Sequence, residues 1–571
     1  MNTFREMITA VPSKITELRE FYREFTAKAY APHHGVRKVG AFLCYTAVSI
    51  YLGMIAVLLL ILMTAWYYHN RLPNLASLVV LAVGAPVIFY QGIKLLIIKV
   101  PDLGVTRSEH RGRLSWKLMV AISAGLGVFF VAGLLAYYPG AIGWDSVLQW
   151  EQVLSGKFND WHPALHTMIM WIFYQIVPSY PFFLGVQSVV FAILCGYMVA
   201  TLKAWGFATR WPVLFLVFAV GTHSTSRILL HPWKDTTFTI LMLWMAVILI
   251  NIIFTEGKWL AKWYNVLAVI MVVALLSTVR HNGIFITIPL VVLLVFFYRK
   301  ASRNVLVAAV GSILVWLGIT QGLYRLADVE QPESQSYVEV VGIPMVIMGE
   351  VLTSNPDALD PETRDFLYAI TDDESWHTRY ETGNFNLVKW QCDANSVVAQ
   401  VPPADFAAMT WRTMKNAPNE SLVALAAVTR VVWSPIDWQY SVGYWINEYA
   451  KDVAYTDAQV EAMKPIAEPV GAVYKVIKGG VSMLLPDRIM GCIGLHMLAL
   501  LFFGIYALNR GRGFTSLLVL VPILAYNIGT MLLLCGPDYR YFHFNVVLTL
   551  PVILTLLARV CPAESMTEEI T

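Results

Sequence analysis

Four short polar stretches interrupt an otherwise apolar chain, and each carries residues able to handle a hydroxyl or a phosphate. The first, residues 137–167, reads YYPGAIGWDSVLQWEQVLSGKFNDWHPALHT and holds Asp145, Gln149, Glu151, Gln152, Asp160, His162 and His166. The second is His231-Pro232-Trp233-Lys234-Asp235, the third Arg280-His281-Asn282-Gly283 and the fourth Asp538-Tyr539-Arg540-Tyr541-Phe542-His543. If 144–154 is helical, Asp145, Gln149 and Gln152 fall on one face by the i, i+4, i+7 rule, setting a carboxylate beside two amides that bind hydroxyls. Glu151 points away from that face. Asp160 is the rival acid; it either acts as the base, caps the segment after Pro163 or orients His162. Lys234, Arg280 and Arg540 offer cations to a phosphate, and Asp145 offers a base to a sugar acceptor or a ligand to a cation. A general base must bind the hydroxyl it activates, and a departing lipid phosphate needs cations to stabilise its growing charge. Taken singly, each stretch reads equally well as a wet loop or as charged residues snorkelling at a span end. Four such groups on one side of a membrane weigh against that.

The elements that must position them are membrane helices. Of 571 residues, 57% are hydrophobic and 14% charged, against about 25% charged in soluble domains; the mean hydropathy is +0.59. The net charge of +3 singles out no charged partner, nucleic acid included. The six cysteines include no CxxC pair, so neither a zinc site nor a disulfide framework is indicated. No cleavable signal peptide is read at the N-terminus. Apolar runs long enough to cross a bilayer, or nearly so, lie near 40–66, 76–98, 118–138, 164–179, 182–203, 212–230, 236–255, 263–279, 283–298, 303–323, 485–507, 514–534 and 541–560.

Basic residues orient the chain. Arg107, Arg111, Arg113, Lys117, Lys258, Lys262, Arg299, Lys300, Arg303, Arg510 and Arg512 are placed in the cytoplasm, which puts 139–163 and 324–484 outside. Thirteen crossings break this parity, so one weak run fails: either 164–179 lies at the surface or 212–221 only dips into the membrane. The dip is favoured, because Thr222 to Arg227 are costly against lipid. The expectation is therefore an all-α polytopic membrane protein of about 12 transmembrane helices with an outer, partly helical soluble domain. Its parts are a cytoplasmic amphipathic segment at 1–38, a membrane core at 39–323 with an outer loop at 139–163, an extracytoplasmic domain at 324–484, C-terminal membrane helices at 485–560 and a cytoplasmic tail at 561–571. In 326–483 acidic residues outnumber basic ones 22 to 10, and Asp360-Pro361 predicts a helix start within 357–370.

Asp145, His162-Pro163, Lys234-Asp235, Arg280-His281-Asn282-Gly283 and Arg540-Tyr541, in that order, give the chain a resemblance to the GT-C class of multi-pass membrane glycosyltransferases, in particular to its bacterial branch. The likeness covers about 115–325 and 485–560, with partial similarity in the outer region. It implies a GT-C-like fold in the bacterial cytoplasmic membrane with the active site facing outward. It implies inverting transfer of a sugar from a polyprenyl-phosphate carrier to a cell-envelope glycan, lipid or protein acceptor, among membrane lipids. Asp145, Asp160 and His162 would stand at the catalytic centre. Gln149, Gln152, His166, Lys234, Asp235, Arg280, His281, Asn282, Asp538, Arg540 and Tyr541 would bind substrate. The loop acid is followed by Ser146 rather than by a second carboxylate, which leaves a bound divalent metal open. Two other functions compete: a transporter or flippase of a lipid-linked or anionic solute, which would place ionisable residues mid-span, and an assembly protein binding a surface polymer through 324–484.

Overall fold

The computed structural model describes residues 46–61, 75–99, 113–298, 302–331, 333–435, 451–484, 490–509 and 514–558. The expected N-terminal segment 1–38 and tail 561–571 lie outside the described residues. So do Arg107, Arg111, Arg299, Lys300, Arg510 and Arg512 of the basic connections. Among the described residues the architecture is helical, with β-pairing confined to two isolated bridges. A membrane imposes this outcome: without water, backbone N–H and C=O groups must pair within their own segment, and a helix does so.

The helices used below are α1 Thr46–Ile61, α2 Leu75–Lys99, α3 Trp116–Ala136, α4 Trp144–Ser155, α5 Ala164–Ile176, α6 Tyr180–Ala204, α7 Arg210–Gly221, α8 Lys234–Phe254, α9 Trp263–Val279, α10 Ile284–Phe297 and α11 Ser302–Leu317. They continue with α12 Gly342–Ser354, α13 Pro418–Trp433, α14 Asp457–Leu484, α15 Ile493–Asn509, α16 Val521–Met531 and α17 Phe544–Leu557. Six helical stretches among the described residues are long and apolar enough to cross a membrane: α3, α6, α8, Arg303–Leu326, Phe514–Met531 and Tyr539–Leu557. The chain is an all-α protein with the helices of a membrane-embedded one. At its centre stands α8, 89% buried over its apolar window and packed against α6, α9 and α17.

The two weak runs are both short helices. α5 has 13 residues and α7 has 12, about 20 Å or less at 1.5 Å per residue, against a hydrocarbon layer of about 30 Å. α7 stops at Thr222, whose side chain caps a following single turn, His223–Ile228. Thr222, Ser224 and Thr225 are buried in protein, the setting in which interrupted backbone is tolerated at depth. The carbonyls left free at the end of α7 are collected by one side chain: Lys478 Nζ donates to those of Val220, Gly221 and Thr222 at 2.9, 2.7 and 2.8 Å.

Lys478 belongs to α14, inside the region expected to form an extracytoplasmic domain, and α14 runs along α3. Its Gly471 lies close against Ala136, and its Tyr474 packs on Gly133 and stands 5.1 Å from the Phe129 ring. Elsewhere among the described residues of that region, α12 packs on α13 and on the helices Pro361–Ile370 and Pro403–Asn416. The Pro361–Ile370 helix begins where the Asp360-Pro361 pair predicted, with Asp360 accepting from the Thr363 N–H at 3.1 Å.

Candidate functional site

The site is assembled from four places in the chain. α4 is amphipathic and buries Ser146, Val147, Gln149, Trp150, Gln152 and Val153 while exposing Trp144, Leu148 and Glu151. Gly156, at φ +69°, ends it in the left-handed conformation that favours glycine. Asp145 sits in its first turn, where the helix dipole favours a carboxylate. The start of α8 is set by the segment before it: Gln187 donates to the Leu229 and His231 carbonyls at 2.8 and 2.9 Å, and the His231 ring stacks on Trp233 at 3.8 Å. Between α9 and α10 the chain turns so tightly that any side chain at position 283 would strike the Leu276 carbonyl, so only glycine fits and Arg280 and His281 are held at the turn. Asp538 caps the short Tyr539–Phe542 turn by accepting from the Arg540 N–H at 3.1 Å.

These elements bring charged residues from all four stretches together. Arg540 Nη1 donates to Asp145 at 2.7 Å and its Nε to Asp538 at 2.7 Å, while Asp235 lies 3.9 Å away. Asp235 is buried and forms an ion pair with the buried Arg280. The Arg280 guanidinium lies 4.4 Å over the Tyr541 ring, and that of Arg540 lies 5.1 Å over Trp233. Lys234 Nζ donates to His162 Nδ1 at 2.7 Å and, unlike the two arginines, has no carboxylate partner among the described residues. His281 Nε2 pairs with the Asp160 carbonyl at 3.1 Å. Asp160 Oδ1 accepts from the Ala164 N–H at 2.9 Å and so caps α5.

Burial alone would raise the Asp145 carboxyl, but the Arg540 guanidinium, with Lys234 behind it, holds it well below the usual carboxylate range. Asp145 is therefore an anion at any physiological pH. Asp160 goes the other way: burial lifts it above its usual value against the opposing pull of His281 and the Ala164 N–H. Burial, and Lys234 after it, keep His162 far below the usual histidine range, so its imidazole is neutral. With Nδ1 accepting from Lys234, the proton rests on Nε2, a buried donor that makes no hydrogen bond. An unsatisfied buried donor is uncommon and calls for a partner.

Four expected ligand-binding side chains point elsewhere. Gln149 is buried, its amide donating to Thr167 at 2.9 Å and lying 3.1 Å from His166 Nδ1, and His166 Nε2 is 3.1 Å from Thr237. This network joins α4, α5 and α8, and it uses the amide and imidazole groups that were to hold a sugar. Gln152 closes its own loop onto Asn159, accepting from that residue's N–H at 3.0 Å. Asn282 reaches Thr530 of α16 at 3.4 Å. The shared face of Asp145, Gln149 and Gln152 is real, but it is the packed face, with Asp145 at its edge. The site also gains residues that sequence reasoning passed over. Lys389 and Glu339, paired at 2.7 Å, bring the region 324–484 within electrostatic reach of Asp145 and Lys234, and Trp390 meets Trp161 edge-on at 5.8 Å. No periodicity or motif marks any of these. A divalent cation does not fit the carboxylates as they stand: Asp145, Asp235 and Asp538 are each matched to a guanidinium, and no group of three metal-ligating side chains occurs among the described residues.

Residues 175–399 match a family model described as a family of unknown function (DUF6020). The matched stretch includes Lys234, Asp235, Arg280, His281 and Asn282, and leaves Asp145, Asp160, His162, Asp538 and Arg540 outside it. No curated protein and no solved structure matches the chain.

Proposed function

We propose that the chain is an inverting glycosyltransferase that moves a sugar from a polyprenyl-phosphate carrier to a cell-envelope acceptor on the outer side of a bacterial cytoplasmic membrane. In this reading it has a GT-C-like arrangement of about twelve membrane helices. The observation that carries the reading is the convergence of Asp145, Lys234, Arg280 and Arg540 at one end of α8. There a lipid phosphate can stay at headgroup depth while its sugar meets a carboxylate. Lys234 is the cation with charge to spare, because its partner is a neutral imidazole. The unsatisfied His162 Nε2–H and the partly exposed Arg540 can supply further donors to the phosphate.

The chemistry then runs as a single displacement. The acceptor oxygen forms a bond to the anomeric carbon while the bond from that carbon to the carrier phosphate oxygen breaks. The electron pair leaves with the phosphate, where Lys234 and Arg540 stabilise it. The hydroxyl proton passes to Asp145, and the anomeric centre is inverted. Asp145 stays ionised throughout the resting state, and Arg540 holds it in place.

The transporter reading has one feature in its favour, the interruption of α7 at Thr222 beside the buried Lys478, since broken helices line transport sites. Lys478 is committed to three carbonyls, however, and His543 to Thr225 and Tyr539. Mass spectrometry of lipid co-purified with the detergent-extracted protein tests the proposal. A polyprenyl-phosphate sugar, consumed when acceptor is added, is the expected result. Flux of a lipid-linked solute across reconstituted vesicles with no glycosidic bond formed would replace this reading with transport.

A further inference from the structure

Beside the charge cluster lies a cavity of about 650 Å³. That volume lies within the roughly 300–1,000 Å³ of small-ligand sites. Its lining combines the apolar Trp316 and Ile284 with Gln321, Arg325 and Asp328, and it includes Asp160 and His281, which join it to the cluster. We propose that this cavity is a saccharide-binding subsite; in taking the saccharide to be the acceptor, the inference rests on the reading above.

Three observations carry it. The cavity is built around an irregularity: the helix that begins as α11 loosens into a π-turn at Gly318–Leu323, and such turns concentrate at functional sites. Asp328, just beyond it, holds φ +49°, an uncommon backbone conformation for a residue other than glycine. The cavity is also fastened to the loop that bears Asp160 and His162. The Asp160 N–H donates to the Glu330 carbonyl at 2.9 Å, the Glu330 N–H to Phe158 at 2.9 Å, and the Leu165 N–H to the Tyr324 hydroxyl at 3.0 Å. Its walls are thus formed before any ligand arrives, which lowers the cost of binding.

The third observation is the chemistry of the lining. The lining holds two acidic residues, Asp160 and Asp328, and a single guanidinium, that of Arg325, so an anion is disfavoured here, in contrast to the cluster around Lys234. Gln321 accepts from Arg325 Nη2 at 3.0 Å through Oε1, which leaves its amide N–H groups to donate. Carboxylates and amides pair with vicinal hydroxyls, and the flat Trp316 ring packs against the C–H face of a pyranose. A neutral, polyhydroxylated headgroup is the ligand that satisfies all of them. His281, paired with the Asp160 carbonyl at 3.1 Å, lies within the electrostatic reach of Lys234 and Arg280, so the cavity adjoins the charge cluster there.

The test uses the full-length protein in an amine-oxide detergent, without sugar headgroups. Octyl glucoside, octyl galactoside, octyl mannoside, octyl phosphate and tetraethylene glycol monooctyl ether are offered as probes, and binding is read by native mass spectrometry. At least one glycoside is expected to bind in preference to the ether and the phosphate. Asp328→Asn, which tolerates the left-handed backbone, and Gln321→Leu, at an exposed position, each weaken it by about tenfold, the scale of a lost hydrogen bond to a charged or polar partner. Lys234→Met leaves glycoside binding unchanged and weakens that of polyprenyl phosphate. Binding of the ether or the phosphate as tight as that of every glycoside overturns the inference, and so do folded variants that bind like wild type. Glycoside binding without polyprenyl-phosphate binding would overturn the transferase reading and leave the saccharide subsite standing.

Discussion

Arg540→Gln separates a phosphate-binding arginine from a purely structural one. The side chain bridges Asp145 and Asp538 at 2.7 Å each, and the side-chain exposures of Arg540 and Asp145 are 20% and 21%. Breaking a fully buried pair costs about 3–5 kcal/mol; partial exposure to water puts this loss near the lower end, about 3 kcal/mol. The sign of its pH dependence follows from Asp145. In the wild type its carboxyl is depressed, so its contribution is present above the unfolded value of about 3.9 and is lost only in strong acid. Without Arg540, burial is opposed mainly by Lys234 and the folded pKa moves up. The variant then loses stability relative to wild type as pH rises from 5.5 to 7.5. Thermal unfolding at both pH values reads this difference, and binding of sugar-free polyprenyl phosphate is measured on the same preparations. Affinity should fall about 10- to 100-fold for a lost charge-assisted hydrogen bond of about 1.5–3 kcal/mol. An affinity equal to wild type would show that Arg540 does not touch the phosphate. A stability gap that stays constant or narrows as pH rises would refute the assignment of Asp145 as the anion it holds.

Asp145→Asn should lower single-turnover sugar transfer by about 10²-fold with donor binding little changed; near-normal transfer would move the base to Asp160. His162 must stay neutral in the folded protein, so wild-type stability should fall as pH drops below about 6.5; His162→Gln should flatten part of that slope, and an unaltered slope would contradict the burial of a neutral imidazole. Lys478→Met leaves three carbonyls without their donor and should destabilise the protein by about 3 kcal/mol with polyprenyl-phosphate affinity retained; loss of affinity at unchanged stability would assign Lys478 to the ligand. A cysteine placed at the exposed Glu374, with Cys392→Ser, should react with an impermeant maleimide in intact cells; reaction only after permeabilisation would reverse the orientation.

The membrane class was legible from the sequence because long apolar runs leave the backbone one economical conformation, and the helices α3, α6 and α8 follow those runs closely. Local chemistry was legible for the same reason: Asp360-Pro361 starts a helix through contacts three residues apart, and Glu151 turns away from Asp145 by helical geometry alone. The grouping of charged residues at span ends was visible as well, because each stretch interrupts an apolar run. Which residues within those stretches meet was not visible. Arg540 and Asp145 are 395 positions apart, and nothing in either segment encodes the other. Helical periodicity correctly puts Gln149 on the Asp145 face, but only packing against α5 and α8 decides that this face is filled by His166 and Thr167 rather than by a ligand. The polar region 324–484 carries no periodic sign that α14 lies along α3, or that Lys478 completes the end of α7. Interactions within one turn of helix are written in spacing, whereas a carboxylate's partner, its burial and its state of charge are set by the segments that tertiary packing brings beside it.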